Sequence, residues 1–227
     1  MPELHFDSAA IKDQKRFFRR NLINSLGGPK SLAVVGTKSS DGKENAALFN
    51  SVLHIGATPP LMGLIFRPHT VPRHTLENIL NTEYYTINHI SKDFLKRAHQ
   101  SSASYDRQDS EFEAVGLESV YLDSFNAPYL EKSPVKIGLR LAERIDISSN
   151  NTILIIGAIE HIYLPEESLW KDGFLDPSRS GTVACAGLDG YYETSFLARY
   201  SYPKPGESFK DLEDDPSLFD LYPDSMK

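Results

Sequence analysis

The sequence predicts a mainly β fold, an antiparallel barrel with helices at its periphery. Three observations lead there. About seven runs of β-favouring residues punctuate the chain. Several are joined by short polar turns of the kind that close hairpins. Helical patterns fall between or outside these runs without alternating regularly with them, which disfavours a doubly wound parallel sheet.

The elements follow in order. Ser8 to Leu26 carries Ile11, Phe17, Phe18, Leu22 and Ile23 at spacings that suit one helix face. Asp7 or Ser8 can cap its start. Gly27-Gly28 can end it in the left-handed conformation, and Pro29 forbids continuation. Ser31 to Thr37, SLAVVGT, reads as a buried strand, and SSDGK after it as a tight turn. Glu44 to Gly56 is a second extended segment, interrupted by Thr58-Pro59-Pro60. Leu61 to Phe66 is a third strand, Thr75 to Leu80 a short helix, and Tyr84 to Ile90 another strand. Lys92 to Ser102 has a helical pattern, and residues 104–134 read as irregular. Val135 to Ile147 and Thr152 to Leu164 are long strands either side of an SSNN turn. Gly181 to Thr194 adds a last strand. The expected organisation is a helical extension over 1–30, a barrel domain over 31–200, and a proline-rich acidic tail over 201–227.

Composition narrows the function classes. The 227 residues carry a formal net charge of -7, so a sequence-wide basic field for nucleic acid is absent, although a local basic pocket is allowed. Cys185 is the single cysteine, which rules out an internal disulfide and any Cys-x-x-Cys motif. The segment MPELHFDSAA lacks a signal pattern, and the longest apolar run, Ile153 to Ile159, falls far short of a membrane span. A cytoplasmic protein with no membrane and no nucleic-acid partner is the expectation.

Familiar catalytic motifs are missing. Gly36 to Lys43 has the outline of a P-loop, but five residues separate its glycines instead of four, and Glu44 stands where Ser or Thr is required. No G-x-G-x-x-G follows a strand. His69 and His74 are five apart and His161 follows Glu160, so no H-E-x-x-H zinc pairing arises and no metal is expected. No G-x-S-x-G elbow appears.

Four stretches keep two readings each. In ENAALFNSV, Glu44 to Val52, small residues and two amides sit where larger apolar groups would normally fill a strand. It is either a half-exposed strand or one whose backbone approaches a flat ligand. In VPRHTLENI, Val71 to Ile79, Thr75 at a helix start beside Arg73 is either an ordinary cap or a phosphate site. KRAHQSSASYD, Lys96 to Asp106, is a solvated helix end or a ligand-facing one. GLDGYYETSFLARYSYPKP, Gly187 to Pro205, is a packed dimer arm or part of a site.

Their order carries more than any one of them. A DG turn, the ENAALFNSV strand, TPPLMGLIF, RHTLENILNTEYYTIN, SEFEAVGL and the Gly187 to Pro205 stretch follow one another across residues 31 to 205. Together they resemble the flavin reductase-like family of FMN-binding split barrels, which includes flavoredoxins. The resemblance implies an antiparallel split β-barrel and a homodimer with FMN at the subunit boundary. It implies that Arg73, His74 and Thr75 hold the phosphate, that the isoalloxazine lies along Phe49, Asn50 and Ser51, and that Asn88 contacts ribityl or phosphate. His99, Gln100 and Ala103 would close over the flavin, and His161 is a nicotinamide-side candidate. The activity implied is hydride transfer from NADH or NADPH to flavin, with an unknown electron acceptor beyond. A flavoredoxin-like carrier with tightly bound FMN is the alternative within the family, and a flavin-free binding barrel the alternative outside it. No proton-transferring side chain is required, in keeping with the missing catalytic dyad.

Overall fold

The structure, a computed structural model, describes residues 1–212; the tail expectation for 213–227 lies outside the described residues. The expected N-terminal helix is two helices, α1 (Ser8–Asp13) and α2 (Arg16–Ser25). Gln14 and Lys15 take extended backbone between them. Asp7 caps α1 by accepting from the Ala10 N–H at 2.8 Å. The Arg19 guanidinium donates to the Lys12 and Gln14 carbonyls, which the break leaves without helical partners. Neither helix buries a residue, so Phe17, Phe18, Ile23 and Leu26 stand exposed.

The strand expected over Ser31 to Thr37 divides at Leu32 into β1 (Lys30–Ser31) and β2 (Ala33–Lys38), which join different sheets. The segment from Glu44 likewise divides at Asn50-Ser51 into β3 (Glu44–Phe49) and β4 (Val52–Ala57). Then come β5 (Pro60–Phe66), helix α3 (His74–Thr82), β6 (Tyr84–His89) and helix α4 (Leu95–Gln100). The region expected to be irregular contains helix α5 (Glu111–Ala114) and the paired β7 (Ser119–Val120) and β8 (Tyr129–Leu130). The long hairpin of β9 (Lys136–Ile147) and β10 (Thr152–Tyr163) follows. The single last strand is a hairpin, β11 (Val183–Ala186) with β12 (Gly190–Glu193).

Seven strands form one sheet in the order β3-β2-β6-β9-β10-β5-β4, and every pairing is antiparallel. The two edge strands are consecutive in the chain, with only Asn50 and Ser51 between them. In a flat sheet these edges would lie ~29 Å apart. A two-residue link spans roughly 11 Å at most. The sheet therefore closes on itself, and its seam falls where β3 meets β4. This is an antiparallel split barrel with peripheral helices.

Inside the barrel Val35, Leu64, Phe66, Ile87, Leu139 and Ile155 pack with Leu76 and Ile79 of α3, which plugs one end. A second cluster covers the outer face of β2: Leu32 and Val34 pack there with Phe94, Phe112, Val183 and Cys185. Both faces of β2 are thus covered, which explains its unbroken apolar run. At the far end of the chain, Arg199 pairs with Asp172 at 2.7 Å and lies over the Phe174 and Trp170 rings.

One close approach is tight. At the irregularity in β10, an added Cβ on Gly157 would overlap the Tyr85 hydroxyl, which is buried and has no hydrogen-bond partner among the described residues, and would lie 2.8 Å from the ring carbon Cζ. Gly157→Ala is expected to destabilise by about 1–3 kcal/mol. Adding Tyr85→Phe removes the overlapping oxygen and an unsatisfied polar group but keeps the crowding ring carbon, so the double variant recovers part of that loss. Thermal unfolding of the three variants checks this; a double variant no more stable than Gly157→Ala alone contradicts it.

Candidate functional site: a cleft at the barrel seam

A cleft of about 360 Å³ opens where β3 ends and β4 begins. That size suits a single small-molecule ligand. Its floor comes from Ala47, Phe49, Asn50 and Ser51, with Ile65 and Phe66 alongside. Phe49 packs edge-on against Phe66 at 5.0 Å, so its ring is held by the core. The two polar residues of the seam are anchored. Asn50 Nδ2 donates to the Gly187 carbonyl at 2.6 Å, and Ser51 Oγ donates to the Ile65 carbonyl at 2.8 Å. The Asn50 amide oxygen is thus left to accept, while both the Ser51 hydroxyl proton and its carbonyl, which accepts from the Ile65 N–H at 3.3 Å, are engaged.

The opposite wall is the start of α3, with Arg73, His74 and Thr75. The helix begins at His74, so the cap position belongs to Arg73 and Thr75 is the second helical residue, a correction to the cap expected at Thr75. The Arg73 side chain makes no cap bond. Its backbone N–H is met instead by Glu77 Oε1, which reaches back at 3.1 Å. The first-turn N–H groups lack intrahelical acceptors by geometry, and the helix dipole adds positive potential there. Arg73 Nε is buried without a partner, and neither Arg73 nor Arg67, which also lines the cleft, pairs with a carboxylate among the described residues. Unpaired cations beside a helix start fit a phosphate and leave a buried donor for it to satisfy. Apolar floor and cationic wall together fit a flat ring carrying a charged tail.

The third side is the segment Ser101 to Tyr105 after α4, which includes Ala103. Glu111 of α5 completes the lining. Its carboxylate accepts from the Ala46 N–H at 3.1 Å and so closes the open edge of β3. Burial raises its pKa, and backbone hydrogen bonds and His74 oppose the rise.

Of the residues singled out from sequence, Phe49, Asn50, Ser51, Arg73, His74, Thr75 and Ala103 meet in this cleft. Four lie away from it. Asn88 is fully buried in β6, where its amide donates to the Val34 carbonyl and the Thr86 hydroxyl while its oxygen accepts from the Leu130 N–H. Its two donors serve β2 and β6 within the barrel, and its oxygen ties β8 to them. His99 turns toward Tyr191, ring edge to face, with Nδ1 hydrogen-bonded to the phenol. Gln100 is exposed beside Tyr105. His161 lies on β10 against Phe125 and stacked on Tyr163.

Residues 27–176, more than half of the chain, match the family model described as flavin reductase like domain. The chain belongs to this family. A candidate flavin reductase with a split barrel domain from Shewanella frigidimarina NCIMB 400 superposes with a TM-score of 0.85 at 43% identity, covering 88% of this chain and 100% of that one. Flavoredoxin of Desulfovibrio vulgaris (Miyazaki F) superposes at 0.66 with 25% identity, over 76% of this chain and 91% of that one. An uncharacterized protein of Halalkalibacterium halodurans is 27% identical over 91% of this chain and 94% of its own length.

Within this flavin reductase-like barrel, sequence reasoning missed Arg67, Asn45 and Glu111 as cleft residues. Asn45 was visible only as one of two amides in ENAALFNSV. Nothing local in SEFEAVGL marks Glu111 as the residue that reaches a strand edge 65 positions away.

Glu77 supports the cleft from behind. Burial alone would raise its pKa, but hydrogen bonds from Arg107, His69 and the Arg73 N–H outweigh that and bring it down to about 2. A depressed carboxylate pKa gives stability that is present above its unfolded value of about 4.5 and is lost as pH falls toward 2. Glu77→Gln is therefore expected to cost on the order of 1–2 kcal/mol at pH 7 and nearly nothing at pH 2. Denaturant unfolding at the two pH values checks it; an equal cost at both would contradict the charge argument.

Proposed function

We propose that the seam cleft holds FMN and that the protein is a flavin reductase taking hydride from NADH or NADPH. The observation that carries this reading is the pairing of two unlike ends in one cleft. One end has Arg73 and Arg67, neither paired with a carboxylate among the described residues, beside the start of α3; the other has the Phe49–Ser51 floor with its aromatic ring.

When bound, the flavin supplies the redox chemistry. The chain's own residues bind and orient. Arg73, with the first-turn N–H groups of α3 and the Thr75 hydroxyl, meets the phosphate charge. Asn50, pinned through Nδ2, would offer the ring an acceptor oxygen. Phe49, locked on Phe66, would give the ring an apolar contact and help to exclude water. The small side chains Ser101 to Ser104 leave room above the ring for a second flat group. No side chain is asked to move a proton.

The likeness to flavoredoxin at 25% identity supports a second reading, an electron carrier with resident FMN and no direct nicotinamide oxidation. A homodimer is part of the proposal: the exposed Phe17 and Phe18 of α2, Leu26 just after it, and Leu197 are apolar surface that a second copy can cover. A cytoplasmic setting accords with the lone buried Cys185.

Two experiments test this. Anaerobic mixing of the FMN-bound protein with NADH and with NADPH is expected to bleach the flavin with at least one; bleaching by neither leaves the carrier reading. Arg73→Ala with Thr75→Ala is expected to weaken FMN by ~100-fold or more and riboflavin little, since only FMN carries the charge those residues meet. Equal losses for both ligands would show that these residues do not read the phosphate.

A further inference from the structure

Four buried polar side chains form a closed frame beneath the start of α3. Thr37 on β2 and Asn45 on β3 are register partners. Asn45 Nδ2 donates to Thr75 Oγ1 at 3.0 Å, and Asn78 Nδ2 donates to Thr37 Oγ1 at 3.1 Å. Thr75 and Asn78 lie three residues apart on the same face of α3. All four are at most 7% exposed, and the frame spans two strands and one helical turn.

The frame has a chemical consequence at Thr75. A hydroxyl has one proton and two lone pairs. Asn45 occupies a lone pair, so Thr75 Oγ1 enters that bond as acceptor. A threonine inside a helix commonly gives its proton to the carbonyl four residues back. Thr75 is the second helical residue, so that position, Val71, lies outside the helix, and the Thr75 hydroxyl donates to no group among the described residues. Its proton is left for the cleft, which Thr75 lines.

We infer that Asn45 is a positioning residue that holds the Thr75 hydroxyl as an obligate donor and so tunes the cleft for an acceptor-only anion, a phosphomonoester dianion. This rests on the phosphate reading above and adds the residue that enforces it. Asn45 reaches the ligand through Thr75. It sits on β3, 30 residues before the side chain it orients, within the ENAALFNSV strand. Replacing its amide with a carboxylate reverses the polarity: Asp at 45 would take the Thr75 proton for itself and set a negative charge behind the phosphate.

The test is a coupling cycle. FMN and riboflavin affinities are measured by fluorescence titration for Asn45→Ala, Asn45→Asp, Thr75→Ala, Thr75→Ser and the Asn45→Ala/Thr75→Ala pair. Thr75→Ala is expected to weaken FMN about 10–100-fold with little change for riboflavin, as loss of a charge-assisted bond predicts. Asn45→Ala should weaken FMN roughly 3–10-fold and Asn45→Asp more, again sparing riboflavin. In the Thr75→Ala background, Asn45→Ala should add less than about 2-fold, because the two act as one unit. Thr75→Ser keeps the hydroxyl and should keep the dependence on Asn45. Independent, additive losses, or equal losses for FMN and riboflavin on changing Asn45, overturn the inference while leaving the phosphate reading intact. A Thr75→Ala protein with unchanged preference for FMN overturns both. Should Asn45→Ala not fold, Asn45→Ser, too short to reach Thr75, takes its place in the cycle.

Discussion

The Asn50-Ser51 link governs this molecule. Two residues join the opposite edges of a seven-stranded sheet, and no open sheet can satisfy that geometry. Closure follows from chain length alone. So does the location of the cleft: β3 and β4 meet at the seam without pairing to each other, which opens a gap between them. The same corner would be unstable if its polar groups went unmet. Gly187, Ile65 and Glu111 supply the partners, from three separate parts of the chain. A cleft of this kind is cheap to build once the barrel is closed, because its floor is a by-product of closure.

The cationic wall is a different matter, since it is held against its own electrostatics. Arg67 and Arg73 sit beside a helix start whose dipole is also positive, an arrangement that repels itself when empty. A chain with seven more acids than bases has carboxylates to spare. Yet Glu77, one turn along α3, binds Arg107, His69 and the Arg73 backbone, and the Arg73 guanidinium donates to the Pro68 carbonyl instead of to a carboxylate among the described residues. Local conflicts of this sort persist where function requires them. Glu111 tempers the field without cancelling it, because its carboxylate is tied to the Ala46 N–H.

The sequence made the barrel legible through strand patterns and turns, and made most of the cleft legible through the order of its segments. The misses share a cause: they are decided by contacts distant in sequence. The helix over Ser8 to Leu26 breaks at Gln14, where Arg19, seven and five residues from the open Lys12 and Gln14 carbonyls, donates to both. Leu32 divides a strand that looks uniform, since β1 follows β11 and β2 follows β3. Asn88 looked like a ligand contact from its place in Y-x-I-N; only the presence of Leu130, 42 residues away, shows its amide to be consumed. Asn50, with a comparable neighbourhood in sequence, keeps an oxygen free because its partner Gly187 offers only an acceptor. Local pattern cannot separate two such asparagines.

The two ends of the cleft differ in what sequence change they tolerate. The floor is read through backbone and small side chains, so its fit depends on keeping residues such as Ala47 small rather than on any one chemical group. The wall depends on a frame of four buried side chains with directional bonds, in which one amide-to-carboxylate exchange reverses a proton. Under the proposed reading, an FMN held here would be fixed by its charged tail and left accessible at its ring. That division suits chemistry carried by the ligand itself: the protein commits its directional interactions where no reaction occurs and leaves the reacting face to whatever arrives there.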